Sequence, residues 1–132
     1  MVCGGEQLEL ETNGHYMRPA LFLGNNDMRI NKDEIFGPIT CVIKVDDYDQ
    51  ALSVANDTRF GLTSSVITES LSKANHFKQH SKTGCVMVNL PTSGTDYHVP
   101  FGGRKDSSFG SREQGKYAAE FYTHVKTTYV KS

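Results

Sequence analysis

Lys32-Asp33-Glu34-Ile35-Phe36-Gly37-Pro38 sets a carboxylate and an aromatic ring two residues apart, just ahead of a Gly-Pro turn and a β-branched run that begins at Ile39. Side chains held at the entrance of a strand in this way suit the positioning of a ligand. A carboxylate there accepts hydrogen bonds from both hydroxyls of a ribose, each charge-assisted bond contributing about 1.5 to 3 kcal/mol. The neighbouring ring packs on a flat heterocycle. By residue type alone, a solvated acid before an ordinary turn is the simpler reading, so the motif needs support from elsewhere in the chain.

The other chemically able residues give less. Cys41 and Cys85 fall inside apolar runs, where the thiolate is disfavoured, and Cys3 is close to the first residue. All three read as reduced thiols of a cytosolic protein without disulfides, not as nucleophiles. His76 and His80 stand at i and i+4 but on the helix face away from Leu71, Ala74 and Phe77, which reads as a solvated face; no metal is expected. Gly102-Gly103-Arg104-Lys105 lacks the G-x-x-x-x-G-K-[ST] spacing of a phosphate loop and the helix that should follow it. Asn56-Asp57-Thr58 matches the glycosylation triplet, but with no secretory signal the match is chance.

The elements that must hold these residues follow from periodicity and punctuation. Ile39 to Val45 is a predicted strand. Asp46 or Asp47 caps a helix with Tyr48, Ala51, Leu52 and Ala55 on one face, ending near Asp57. Gly61 restarts the chain into a strand over Leu62 to Thr68; Thr68 or Ser70 then caps a helix carrying Leu71, Ala74 and Phe77, with Gly84 as its C′ residue. Cys85 to Asn89, nearly all apolar, suits a strand covered on both faces of a parallel sheet. Leu90 to Gly110 is long, irregular and rich in Gly and Pro, the kind of ordered loop that carries function. Ser111-Arg112-Glu113-Gln114 fits a capping box ahead of an apolar stripe of Tyr117, Ala118, Phe121, Tyr122 and Val125, and a strand follows over Thr127 to Lys131. Arg18 to Leu23 could be one extended strand, with turns at Gly4-Gly5 and Gly24-Asn25-Asn26. Alternation of strand and helix implies an α/β fold: part of a mostly parallel layered sheet with flanking helices and right-handed crossovers.

Composition narrows the function classes. Of 132 residues, 37% are hydrophobic and 22% charged, as in an ordinary globular chain that can bury roughly two thirds of its unfolded surface. A net charge of -1 with scattered Lys, Arg, Asp and Glu gives no electrostatic case for nucleic acid or an anionic membrane. Nothing approaches a membrane span or a signal peptide, so the expected location is cytoplasmic and the expected partner a small molecule or another protein.

Glu34-Ile35-Phe36-Gly37-Pro38 resembles the E-[IV]-F-G-P motif of the aldehyde dehydrogenase superfamily, and it does not stand alone. Ala55-Asn56-Asp57-Thr58-Arg59-Phe60-Gly61-Leu62 is similar to A-N-x-T-x-[YF]-G-L, and Gly84-Cys85-Val86-Met87-Val88-Asn89 to G-x-[VI]-x-[VI]-N. Pro100-Phe101-Gly102-Gly103-Arg104-Lys105 resembles P-F-G-G-x-K; Gln114-Gly115 and Tyr122-Thr123-His124-Val125-Lys126-Thr127 continue the pattern. The resemblance thus runs from Gly4-Gly5 almost to Ser132.

It implies that the chain, residues 1–132, is the C-terminal portion of the catalytic domain of an NAD(P)-dependent enzyme that oxidises an aldehyde to a carboxylic acid through a cysteine thiohemiacetal and thioester. NAD or NADP would be the cofactor of the full-length enzyme, with Glu34 on the nicotinamide ribose and Phe36 lining the nicotinamide side. Family members keep the nucleophilic cysteine, the general-base glutamate and the dinucleotide-binding half well upstream of E-[IV]-F-G-P, and only 33 residues precede Glu34 here. The expectation is that this piece contains no catalytic residue and is inactive by itself.

Leu90 to Phe101 is where the family tunes the aldehyde pocket, and Phe101 is the candidate substrate wall. Thr92, Ser93, Thr95, Tyr97 and His98 suit a polar or carboxylated aldehyde, or else satisfy the loop backbone. The wording of the loop most resembles the 2-oxoglutarate semialdehyde branch, with betaine aldehyde and succinate semialdehyde members close to it. Ser108 departs from the family pattern, standing where glycine is usual and reducing backbone freedom. The resemblance also implies a homo-oligomer paired through the strand at about 127–131; a non-catalytic binding or oligomerisation module is the rival reading.

Overall fold

The computed structural model describes residues 1–132, which form two compact units, Met1–Asp57 and Thr58–Ser132. In the first, β1 (Gln7–Leu8) and β2 (Tyr16–Met17) pair antiparallel, with Leu8 opposite Tyr16. Next, β3 (Ala20–Gly24) runs parallel to β4 (Ile39–Ile43), Ala20 opposite Ile39 and Gly24 opposite Ile43. The crossover between them holds one turn of helix, α1 (Arg29–Lys32). In β4 the side chains alternate, with Ile39, Cys41 and Ile43 half-buried and Thr40 and Val42 exposed, as the two-residue period of a strand requires.

The unit closes with α2 (Tyr48–Asn56). The Asp47 carboxylate accepts from the Gln50 N–H at 2.8 Å, while the Gln50 side-chain oxygen accepts from the Asp46 N–H at 2.6 Å. The first bond satisfies a helix-start donor that has no intrahelical partner and the second ties the residue before the cap to the same turn; Leu52 is buried.

The second unit repeats the parallel strand–helix–strand theme. β5 (Thr63–Val66) pairs with β6 (Cys85–Val88), Thr63 opposite Cys85 and Val66 opposite Val88. Between them α3 (Leu71–His80) begins at Ser70, whose hydroxyl accepts from the Lys73 N–H, and packs against β6. Ala74 and Phe77 are its buried residues. At its end Ser81, 5% exposed, shares a closed set of hydroxyl hydrogen bonds with Ser64 and Thr83, at 2.7 to 3.0 Å.

Several sequence expectations change here. Gly84 is not a helix C′ residue: α3 stops at His80 with Ser81 in extended backbone, and Gly84 instead lets another segment approach closely. Ser111 caps nothing, because the chain passes through a bridge at Glu113 and a 3-10 turn at Gly115–Tyr117 before a short α4 (Ala118–Tyr122). Thr123 to Ser132 carries no helix or strand, and residues 127–131 have no partner with which to form a ladder. No helix is long and apolar enough to cross a membrane.

The largest departure concerns burial. The chain exposes 10572 Å², against about 6900 Å² for a self-contained monomer of 14.6 kDa. That is nearer half than two thirds of the unfolded surface buried. The buried hydrophobic residues are Ala20, Leu52, Ala74 and Phe77, while Leu23, Leu71, Ile67, Val125 and Tyr129 are all more than 60% exposed.

Within α3 the two classes of apolar residue give a direct check. Phe77→Ala is expected to destabilise the chain by about 3 to 5 kcal/mol through loss of buried contacts and the cavity left behind. Leu71→Ala, at 76% exposure, should change stability by no more than about 0.5 kcal/mol. Urea denaturation followed by circular dichroism distinguishes them, and equal effects would contradict the packing of α3 on β6.

Candidate functional site

In the first unit, the approach to Glu34 begins at the end of α1. The Asp33 N–H donates to the Arg29 carbonyl at 2.8 Å, and the Arg29 guanidinium pairs with the Asp33 carboxylate at 3.0 Å. Lys32 is tied down as well: its Nζ donates to the Asp57 carbonyl at 2.9 Å and to Asp57 Oδ2 at 2.8 Å, and Asn26 donates to the same oxygen. Beyond Glu34 the chain is fixed again, since the Ile39 N–H closes onto the Gly37 carbonyl at 2.7 Å and the Pro38 carbonyl accepts from the Ala20 N–H at 2.9 Å. The segment is therefore hooked to β3 just where β4 starts.

Between these anchors the motif projects outward. Glu34 is exposed, and Phe36 is 93% exposed with φ of 53°. A non-glycine residue in that left-handed region costs roughly 1 to 2 kcal/mol, and a ring that contributes no burial does not offset it. Strain of this sort is held where the surroundings over-determine the backbone, as the bonds at Gly37 and Pro38 do. Beside the segment lies an apolar cleft of about 450 Å³ lined by Met17, Phe22, Ile30, Ile35 and Ile39 among others. An exposed carboxylate beside an exposed ring suits a nicotinamide riboside, the acid as acceptor for its hydroxyls and the ring for its flat face.

Phe101 stands in the second unit. It exchanges both backbone hydrogen bonds with Glu113, at 2.8 and 2.9 Å, forming an isolated antiparallel bridge. The next two residues, Gly102 and Gly103, are buried. A Cβ on Gly84 would stand 1.8 Å from the Gly102 carbonyl oxygen, so the entrance to β6 leaves no room there for any side chain. The Cys85 thiol points to that same carbonyl at 3.8 Å, and the Arg112 guanidinium donates to the Gly103 carbonyl. Gly61 is the other anchor: its carbonyl accepts from the N–H groups of Gly84 and Arg104, both at 2.9 Å, while its own N–H donates to Ser107 Oγ at 2.8 Å.

The rest of the loop is looser. Thr92, Ser93, Tyr97 and His98 are exposed and Thr95 half-buried, with the Tyr97 and His98 rings edge to face. At the end of β6 the Asn89 side chain accepts from the Thr68 N–H at 2.8 Å and donates to the Thr68 carbonyl at 3.0 Å, from a backbone with φ of 56°. Gln114 also has positive φ, and its Oε1 is buried with no hydrogen-bond partner.

Thus Glu34 and Phe36 are brought together in one short segment, and Phe101 is held by its own set of bonds. Within the second unit, Ser108 and Arg112 hold the backbone after Phe101, Ser107 holds Gly61 and Asn89 holds Thr68; none was picked out for this from sequence, and only Ser108 had a signal, as a departure from pattern. The thiols are all free; Cys3 is exposed, and Cys41 and Cys85 are half-buried with their sulfurs engaged by Asn31 and by the Gly102 carbonyl. His76 and His80 stack at 3.9 Å on an exposed helix face.

Comparison with known proteins follows the same lines. The profile of the aldehyde dehydrogenase family matches residues 1–128. The chain is 42% identical to the alpha-ketoglutaric semialdehyde dehydrogenase of Bacillus subtilis (strain 168), over 99% of its own length and 28% of that protein's. It is 44% identical to the alpha-ketoglutarate semialdehyde dehydrogenase of Haloferax volcanii, over 98% of its length and 28% of that protein's. Among solved structures, the indole-3-acetaldehyde dehydrogenase of P. syringae in complex with NAD+ and IAA superposes with a TM-score of 0.87 at 42% identity, covering 99% of this chain and 26% of that one. The chain therefore spans little more than a quarter of the relatives it matches. With its family profile matched almost end to end and its α/β elements shared with solved members, the chain belongs to the aldehyde dehydrogenase family.

Proposed function

We propose that this chain is the C-terminal portion of the catalytic domain of an NAD(P)-dependent aldehyde dehydrogenase, and that Glu34 and Phe36 form its nicotinamide wall. The observation that carries the reading is the outward, locally strained presentation of Phe36 beside an exposed carboxylate, at a strand entrance fixed from both sides. Glu34 would accept hydrogen bonds from the ribose hydroxyls and Phe36 would limit the tilt of the ring, which is positioning, not bond-making. When bound, the nicotinamide supplies the hydride acceptor. The cofactor seen in the P. syringae relative supports this assignment.

The aldehyde is attacked by a cysteine outside these residues. None of Cys3, Cys41 and Cys85 is set up for the task, since two are half-buried beside backbone carbonyls and the third bridges Leu21 of β3. Phe101 forms part of the aldehyde wall, and the polar residues from Thr92 to His98 favour a carboxylated aldehyde of the 2-oxoglutarate semialdehyde kind, in line with the named activities of two relatives. Val125, Tyr129 and Val130, nearly fully exposed, fit a tail that pairs as a strand with another subunit of a cytoplasmic homo-oligomer.

Glu34→Gln and Phe36→Gly in the full-length enzyme test the wall. Glu34→Gln should lower kcat about 10- to 100-fold without abolishing it, the equivalent of one charge-assisted hydrogen bond, with little change in KM for the aldehyde. Phe36→Gly relieves the positive φ, so thermal unfolding should shift by less than about 1 kcal/mol, and toward greater stability, while KM for the cofactor rises. Unchanged cofactor kinetics in both variants would exclude this segment from the nicotinamide site.

A further inference from the structure

Gly102 and Gly103 follow Phe101 without a side chain to fix them, so the aim of the Phe101 ring depends on who holds their backbone. Glu113 holds Phe101 itself from both sides, and the Gly102 and Gly103 carbonyls meet Cys85 and Arg112. Of the two glycine N–H groups, that of Gly103 donates to Ser108 Oγ at 2.6 Å. Gly103 is buried while Ser108 is exposed, so this hydroxyl stands in for water on a donor that bulk solvent does not reach. The fit is close: a Cβ on Gly103 would lie 3.0 Å from Ser108 Oγ. The Ser108 backbone, at φ −155° and ψ 150°, is ordinary extended chain that any residue adopts. Backbone geometry therefore does not call for serine here, and what the side chain adds is its hydroxyl.

We propose that Ser108 is a positioning residue for the aldehyde pocket: its hydroxyl latches the Gly103 N–H and so sets the aim of the Phe101 ring against the substrate. The inference rests on Phe101 being part of the aldehyde wall. A buried donor left without a partner is costly, so without the latch the Gly102-Gly103 peptide turns to find another acceptor and carries the neighbouring ring with it. Ser107, one residue earlier, holds Gly61 and the root of β5 instead, so the two adjacent serines perform separable tasks.

Steady-state kinetics of the full-length enzyme with 2-oxoglutarate semialdehyde provide the test. Ser108→Ala should raise KM about five-fold with kcat changed less than two-fold, and Ser108→Thr, which keeps a hydroxyl and suits extended backbone, should restore KM. Phe101→Ala should raise KM on its own, and adding Ser108→Ala to it should have no further effect, because the two act on one contact. Amide exchange at Gly103, read by NMR, should quicken in Ser108→Ala and recover in Ser108→Thr. If Phe101→Ala raises KM but Ser108→Ala does not, the latch is refuted while the substrate wall stands. If Ser108→Ala quickens Gly103 exchange but Phe101→Ala leaves KM unchanged, the wall reading fails and the positioning role falls with it. A loss of kcat in Ser108→Ala that threonine does not repair overturns the proposal in favour of general loosening.

Discussion

At the entrance to β6 the backbone of Gly84 comes so near the Gly102 carbonyl that even a methyl group would overlap it. That approach decides much of the second unit. It draws the return of a long loop onto the start of a strand, and it is made possible by the Gly61 carbonyl, which receives N–H groups from both sides of the junction, Gly84 and Arg104. Buried backbone groups must find partners, and here they are other backbone groups, the Ser107 and Ser108 hydroxyls, the Cys85 thiol and the Arg112 guanidinium. A loop secured in this way does not need a hydrophobic core beneath it to hold one aromatic residue in place. The glycines at 61, 84, 102 and 103 are thus read as spacing requirements more than as flexibility.

The first unit solves a similar problem by another route. Its motif has few side-chain contacts, and its shape comes from two main-chain closures, Ile39 to Gly37 and Ala20 to Pro38. Between them Phe36 is forced into a conformation that a β-carbon disfavours. An exposed aromatic at positive φ has no stabilising role inside the chain, so the reason for keeping one lies in what it meets outside. Lys32 and Asn26, both directed at Asp57, hold α1 at the C-terminal end of α2 and keep the preceding turn from sliding.

What sequence revealed and what it hid divide along the same physical line. Local signals read well: Asp47 and Ser70 cap their helices as their types suggest, and the β-branched and apolar runs at Ile39, Leu62 and Cys85 became paired parallel strands within two residues of their expected ends. Readings that depended on distant backbone failed. Gly84 has the type of a helix terminator but answers to Gly102, and Ser111 has the type of a cap but precedes a bridge to Phe101. The β1–β2 pair has two residues a side, too short for alternation to show. The family motifs identified Glu34, Phe36 and Phe101 as the residues to consider, while the hydroxyls of Ser107 and Ser108 that brace the loop carry no periodic signal at all.

The exposed surface bears on what holds the segment at Glu34 to Pro38. Leu23 and Val42 are directly opposite each other across the β3–β4 ladder, 62% and 50% exposed, so their side chains lie side by side on an open apolar face. Parallel sheets ordinarily have both faces covered, and an apolar surface of this sort is one that other protein packs upon. Stability of the strand pair must therefore depend on whatever covers that face. The motif at Glu34 to Pro38 depends on it much less, because its geometry is set by short-range main-chain bonds at the strand's first residue and not by packing along its length. Loss of cover would then weaken β3–β4 from the end that carries Leu23 and Val42, leaving the turn at Gly37 among the last features to change.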